Sequence, residues 1–223
     1  MPSNRKIIFA NNEYYHIFNR GVEKRPTFTT KYEYVRARDS LNFYRFGELP
    51  IRYSKFLNLG RDKKAQFLHA LNTDQLQIEI IAYCLMRNHF HFLLKQIKEH
   101  GIVKFMAKYT NSYTKYFNTK DDRVGPLFQG VFKAVHVEND EQLLHLSRYI
   151  HLNPVLCFIF KAEELSQYQW SSYPEYLDEK NSSLVNAAEV LTFFKSRSDY
   201  KDFVLDQVDY AKQARQIEHL IID

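Results

Sequence analysis

Residues 75–96, QLQIEIIAYCLMRNHFHFLLKQ, contain two apolar runs that are separated only by the polar pair Arg87-Asn88. Runs of this length around so short a connection predict two adjacent antiparallel strands, over residues 75–85 and 89–96. This hairpin is the most strongly patterned part of the chain, and the other elements can be assigned around it.

The second strand of the hairpin carries two histidines, His89 and His91, one residue apart. Side chains of a strand alternate between its faces, so both imidazoles lie on one face while Phe90 and Phe92 lie on the other. Paired imidazoles on one face are either two hydrogen-bonded histidines at the sheet surface or half of a metal site.

The segments around the hairpin give the order strand, helix, strand, strand, helix, strand, helix. The remaining strands are predicted at 13–22 and 131–137, and the helices at 31–44, 101–118, 140–153, 187–194 and 208–222. Residues 49–70 are expected to hold a strand and a short helix, and residues 119–130 a loop. This order predicts an α+β, ferredoxin-like split βαβ fold, with an antiparallel sheet and helices on one face.

The length suits one domain with a helical addition. We expect a domain over residues 1–180 and a C-terminal helical extension, residues 181–223, that packs on it.

The helix predicted at residues 140–153 carries a phenol and an amide on the same side. Asn139 or Asp140 can cap its start. Tyr149 lies about 100° from the centre of the apolar stripe, and Asn153 lies one turn further on, beside Tyr149. Pro154 is expected to end the helix. A tyrosine outside the apolar stripe is either a surface residue or a candidate nucleophile.

The composition favours a polyanionic partner and an intracellular location. The net charge is +5 and the pI about 9.0. The two cysteines, Cys84 and Cys157, lack metal or redox spacing and are expected to be reduced thiols. No apolar run approaches the length that spans a membrane, so we expect a cytoplasmic protein without a membrane partner.

Several motifs together resemble the HUH single-tyrosine transposases, which include small insertion-sequence transposases and REP-associated tyrosine transposases. Most of the chain takes part in this resemblance. The motifs, in chain order, are 15–22 (YHIFNRGV), 86–94 (MRNHFHFLL), 125–133 (GPLFQGVFK), 148–155 (RYIHLNPV) and 170–173 (WSSY).

The resemblance implies a metal-dependent enzyme that nicks and transfers single-stranded DNA. His89, His91 and Asn153 would hold Mg²⁺ or Mn²⁺, which polarises the scissile phosphate. Tyr149 would be the nucleophile and would form a 5′-phosphotyrosine intermediate. The expected partner is single-stranded or hairpin DNA, and the expected state is a monomer or homodimer.

Cationic and amide side chains near these motifs are candidates for DNA binding, because arginine and lysine contact phosphates and arginine also reads guanine. On the helix 101–118 the lysines share one face, which is either a solvated surface or a phosphate-contacting ridge. The candidates are Arg20, Arg25, Arg87, Lys104, Lys108, Lys115, Arg123, Gln129, Lys133 and Arg148.

Two other functions remain open. One is a catalytically silent module of ferredoxin-like fold that binds DNA or RNA hairpins, and the other is a metal-dependent phosphodiesterase that uses water. Rival side chains also exist: His16 on the first strand can neighbour the metal site, whereas Tyr113 and Tyr116 fall on the apolar face of their helix.

Overall fold

The computed structural model describes residues 7–178 and 184–208 of the chain. The strands are β1 (Tyr14–Arg20), β2 (Ile78–Met86), β3 (His89–Gln96) and β4 (Lys133–Val137). The helices are α1 (Lys31–Tyr44), α2 (Tyr53–Leu57), α3 (Arg61–His69), α4 (Gly101–Lys120), α5 (Asp140–Leu156), α6 (Tyr173–Leu177), α7 (Ala188–Leu191) and α8 (Arg197–Leu205).

The four strands form one antiparallel sheet in the order β2-β3-β1-β4. The two strands of the predicted hairpin are neighbours, and β1 inserts between β3 and β4. This strand order confirms the predicted α+β fold of ferredoxin-like type.

Helices α1 and α4 cover one face of the sheet, as the pattern predicts. The rings of Phe90 and Phe92 on β3 pack against Tyr109 of α4, with centroids 5.9 and 5.5 Å apart. The expectation that the helices lie on one face is wrong for helix α5, which packs on the opposite face, against β2 and β3. There the ring of Tyr149 contacts His91, which points away from the phenylalanines because strand side chains alternate.

Helix α1 has the predicted bounds because its first turn is capped twice. The Thr30 hydroxyl accepts a hydrogen bond from the Glu33 backbone, and the Glu33 carboxylate accepts one from the Thr30 backbone. This capping box satisfies backbone donors that the first turn leaves unpaired.

The predicted end of α5 at Asn153 is wrong, because the helix continues through Pro154 to Leu156. Pro154 lies in the last turn, where its missing N–H costs a single helical hydrogen bond. Leu152, Val155 and Leu156 are buried, and their packing holds the turn in helical geometry. Tertiary burial therefore outweighs the local preference of the residue before proline.

Other segments also differ from the predictions. Residues 49–70 form the helices α2 and α3 and contain no strand, and β4 begins two residues later than predicted. Helix α8, which the sequence pattern did not indicate, starts after Ser196, whose hydroxyl accepts a hydrogen bond from the Asp199 backbone. The helix predicted at 208–222 lies, apart from its first residue, outside the described residues.

The helices after residue 184 pack on the domain through α5 and α6. Tyr200 and Val204 of α8 are fully buried. In the part of the chain that the structure describes, every helix is too short or too polar to cross a membrane.

Candidate functional site

The two predicted histidines lie beside a third on the α5 face of the sheet. His89 and His91 have ring centroids 5.1 Å apart. On the neighbouring strand β1, His16 approaches so closely that its Nε2 shares a 2.9 Å hydrogen bond with Nδ1 of His91. Burial lowers the pKa of His16 to about 4, so this ring is neutral at pH 7.

The Nδ1 atom of each candidate ligand is engaged by a protein group. His91 Nδ1 bonds to His16, and His89 Nδ1 lies 2.7 Å from Oδ1 of Asn88. Such bonds fix the orientation of an imidazole and select the other nitrogen for metal coordination. His89 and His91 would therefore each coordinate a cation through Nε2.

Tyr149 stands over this histidine group. Its ring makes an edge contact with His91, with centroids 5.5 Å apart, and lies 6.2 Å from the ring of His16. The side chain is 39% exposed, so a substrate in solution can reach it. The late helix thus brings the phenol to the imidazoles, although 58 residues separate Tyr149 from His91 in the sequence.

Asn153 lies one turn beyond Tyr149 and is fully buried. Its Nδ2 donates a 2.9 Å hydrogen bond to the Tyr149 carbonyl, while its Oδ1 has no hydrogen-bond partner among the described residues. Tyr149, Asn153 and Cys157 share one line along α5. At one end of this line the Tyr149 ring contacts His91, and the strand residue paired with His91 is Cys84 of β2.

These residues fit a divalent cation. Burying an amide oxygen without a hydrogen-bond partner costs folding free energy. Such an oxygen therefore indicates a site where a donor or a metal ion binds. Among the described residues there is no group of three His, Cys, Asp or Glu side chains that could hold a metal ion. The fit thus requires the amide of Asn153 to supplement the two imidazoles, a mixed N and O donor set that suits Mn²⁺ and tolerates Mg²⁺.

A cavity of about 280 Å³ opens beside the histidines. Three of the predicted DNA-binding residues, Arg20, Gln129 and Lys133, line it together with His89 and His91. The strand register explains the arrangement, because Arg20 is paired with His89 across β1 and β3. The cavity is therefore cationic and adjoins the candidate metal site.

Other predicted DNA-binding residues lie elsewhere. The lysines of α4, which are Lys104, Lys108 and Lys115, belong to the helix on the other side of the sheet. Lys108 donates a 2.6 Å hydrogen bond to the Gly47 carbonyl. The structure does not bring these lysines to the histidine cavity.

The remaining arginines among the predicted DNA-binding residues lie in other environments. Arg87 is exposed at the β2–β3 turn. Arg25 pairs with Glu23 at 3.5 Å, and Arg123 donates a hydrogen bond to Asn118. The guanidinium of Arg148 lies 4.3 Å from the ring centroid of Phe203, which directs it toward α8 and not toward the cavity.

Sequence reasoning missed one group that supports α5. His151 is fully buried, with Nδ1 2.7 Å from the Tyr200 hydroxyl and Nε2 2.7 Å from Oγ of Ser172. Burial lowers its pKa to about 3. The network joins α5 to α8 and to the segment before α6, two residues after the candidate nucleophile.

One of the comparisons with known proteins matched a family model to part of this chain. A family model described as "Transposase IS200 like" matches residues 52–153, the segment that contains the histidine strand, Tyr149 and Asn153. No curated protein matches the chain.

A solved structure described as a REP-associated tyrosine transposase bound to a REP hairpin has the same fold. Its TM-score is 0.52 and its sequence identity 16%, and the match covers 84% of this chain and 93% of that one. This likeness shows a shared fold, and the family model matches the segment that contains the motifs 86–94 and 125–133 and most of the motif 148–155.

Proposed function

We propose, from the match of residues 52–153 to the IS200-like transposase family model, that the protein nicks and rejoins single-stranded DNA through Tyr149. The observation that carries the proposal is the contact between the Tyr149 ring and the His91 ring, at 5.5 Å between centroids. It places a reachable phenol beside a pair of imidazoles that can hold a metal ion.

The chemistry follows from this placement. The Tyr149 oxygen attacks the scissile phosphorus, a bond forms between them, and the bond from phosphorus to the 3′ oxygen of the preceding nucleotide breaks. The phenol gives up its proton, and the departing strand ends in a 3′ hydroxyl. The phosphotyrosine retains the energy of the broken ester, so a 3′ hydroxyl can reverse the reaction without ATP.

The side chains around the phenol have separate tasks. His89, His91 and Asn153 would hold a divalent cation, which would supply the charge that polarises a phosphoryl oxygen. His16 and Asn88 orient the two imidazoles through their Nδ1 atoms. The hydrogen bond from Asn153 to the Tyr149 carbonyl ties the amide to the turn of α5 that carries the nucleophile.

The cationic cavity supports a nucleic-acid substrate. Arg20 and Lys133 make no ion pair within the described residues, so they can neutralise phosphates. The solved structure of similar fold is named as bound to a REP hairpin. We extend this partner to the present chain and propose that it processes DNA with a hairpin next to a single-stranded arm.

The direct test is a search for a covalent adduct. The protein is incubated with Mn²⁺ and labelled single-stranded DNA from the flanks of its own gene, and complexes that survive denaturation are counted. Tyr149→Phe should bind DNA and form no adduct. Tyr32→Phe, which alters an 84% exposed tyrosine on α1, is the matched control and should behave as wild type.

The metal ligands are tested in the same assay. His89→Ala and His91→Ala should each abolish the adduct that Mn²⁺ stimulates, whereas full activity in a chelator would reject the metal role. Tight binding without any adduct would favour a silent hairpin-binding module instead. Release of a 5′ phosphate without an adduct would favour a phosphodiesterase that uses water.

Other features remain predictions that accompany this proposal. They are the cytoplasmic location, the monomeric or homodimeric state, and the division into a catalytic domain, 1–180, and an extension, 181–223.

A further inference from the structure

We propose that Phe18 and Arg20 form a slot that holds one unpaired nucleobase of the substrate, directly beside the histidine pair. This proposal rests on the proposed function, because it assigns the binding site of the nucleotide next to the cut. Phe18 is half-buried, lies on β1 and lines the same cavity as His89 and His91.

The strand register places the slot beside the candidate metal site. Phe18 is paired with His91, and Arg20 is paired with His89, across β1 and β3. All four side chains therefore point to the α5 face of the sheet. A base between Phe18 and Arg20 would put its backbone next to the imidazoles.

One face of the Phe18 ring is already stacked. The His16 ring lies 4.7 Å from it at 29° between the planes, and the His91 ring lies 5.8 Å from it at 25°. The two histidine rings are 5.1 Å apart, so both lie on the same side of the phenyl ring. His16 precedes Phe18 by two residues on the strand, so the opposite face of the phenyl ring is directed toward Arg20, two residues further on. That second face is the stacking surface.

The spacing suits one planar base. Consecutive side chains on the same face of an antiparallel strand are about 6.8 Å apart. Stacked bases are separated by about 3.4 Å, so a base inserted between Phe18 and Arg20 would stack on both. A guanidinium plane is a good second partner because it stacks on flat π-systems while its edge can contact phosphate.

The surrounding charges favour a nucleotide as the occupant. Arg20 is exposed, and the Nζ atom of Lys133 lies 6.0 Å from the Phe18 ring centroid. The backbone of Gln129 donates a 2.8 Å hydrogen bond to the Arg20 carbonyl, which holds β1 against the loop before β4. An aromatic surface bordered by cations is the arrangement by which proteins hold single-stranded nucleic acid.

The experiment combines protein and DNA changes. A fluorescent hairpin oligonucleotide from the flank of the gene is prepared with a single abasic nucleotide at each position of its single-stranded arm. Affinities are measured for Tyr149→Phe protein, which cannot cut, with and without a second change at Phe18. For protein with Phe18 intact, one abasic position should weaken binding by roughly 5- to 150-fold.

The double comparison separates stacking from a structural effect. Phe18→Ala should weaken binding of intact DNA by a similar factor, and an abasic nucleotide at the critical position should then cause no further loss. Phe18→Trp should retain both the affinity for intact DNA and the sensitivity to that abasic position. Phe18→Leu keeps the bulk without the π-face and should resemble Phe18→Ala. Val135→Ala, on the same sheet face, is the control and should leave the abasic profile unchanged.

Two results would overturn the slot. In the first, the fold-losses in affinity caused by Phe18→Ala and by an abasic nucleotide multiply at every position of the arm. In the second, Phe18→Ala and Phe18→Leu bind DNA with normal affinity. Binding is measured without cutting, so this failure is distinct from the absence of a phosphotyrosyl adduct.

Discussion

His151 should make the protein lose stability in mild acid by an amount that can be worked out from its surroundings. The imidazole is fully buried on α5, between the Tyr200 hydroxyl and Oγ of Ser172. Its pKa is about 3 in the folded protein, because burial disfavours the charged ring, against 6.5 when exposed. Below pH 6.5 the His151 imidazole is therefore protonated in the unfolded chain but stays neutral in the folded chain.

The sign and size follow from linkage. The contribution of His151 to stability is complete above about pH 7 and is lost progressively as the pH falls from 6.5 toward 3. At pH 5 the loss is about 2 kcal/mol, and this figure is nearly the same for any folded pKa at or below about 4. The full loss, below pH 3, is about 5 kcal/mol.

The assay is urea unfolding at pH 8 and pH 5, for wild type and for His151→Gln. The variant cannot titrate at this position, so the drop in unfolding free energy from pH 8 to pH 5 should be smaller by about 2 kcal/mol than in wild type. Other groups that titrate in this range, including His16, cancel in the difference. Equal drops in both proteins would refute the assignment of a buried, neutral His151.

Four further substitutions have defined outcomes. Gly21→Ala should lower the unfolding free energy by about 1–3 kcal/mol in urea titrations, since a Cβ at Gly21 would lie 2.4 Å from the Arg25 carbonyl oxygen; unchanged stability would contradict this close approach. Asn153→Ala should cost less than about 1 kcal/mol, because an unsatisfied acceptor leaves with the lost hydrogen bond, yet it should abolish the rise in melting temperature caused by Mn²⁺. Lys133→Ala should weaken DNA binding and lower its salt slope by about 1, whereas Arg148→Ala should leave DNA binding unchanged and loosen α8. Reversed behaviour of these last two variants would show that the cavity is not the DNA path.

Local signals allowed part of the fold to be predicted from the sequence. Helix α1 has its predicted bounds, Lys31 to Tyr44, and the capping box that fixes its start lies in four consecutive residues. Strand β3 was predicted from His89 to Gln96 because its apolar run follows a tight turn. Helix α8 was not predicted, since its stability comes from Tyr200 packing against α5 and α6, which are distant in sequence.

Part of the candidate site could likewise be predicted from local sequence, and part depends on tertiary packing. The placement of His89 and His91 on one face follows from strand alternation, and Tyr149 was singled out by its angle on α5. The hydrogen bond between His16 and His91 depends on the register between β1 and β3, which the sequence of either strand does not specify. The burial of Asn153 inside a helix that passes through proline likewise depends on packing with the rest of the domain.

The most direct measurement is peptide mapping of the protein after reaction with labelled single-stranded DNA and Mn²⁺. The account predicts one DNA-linked peptide, which carries the 5′ phosphate on Tyr149 and disappears in chelator and in His91→Ala. A linkage on any other side chain, or DNA cut in the absence of metal with no protein attached, would contradict it.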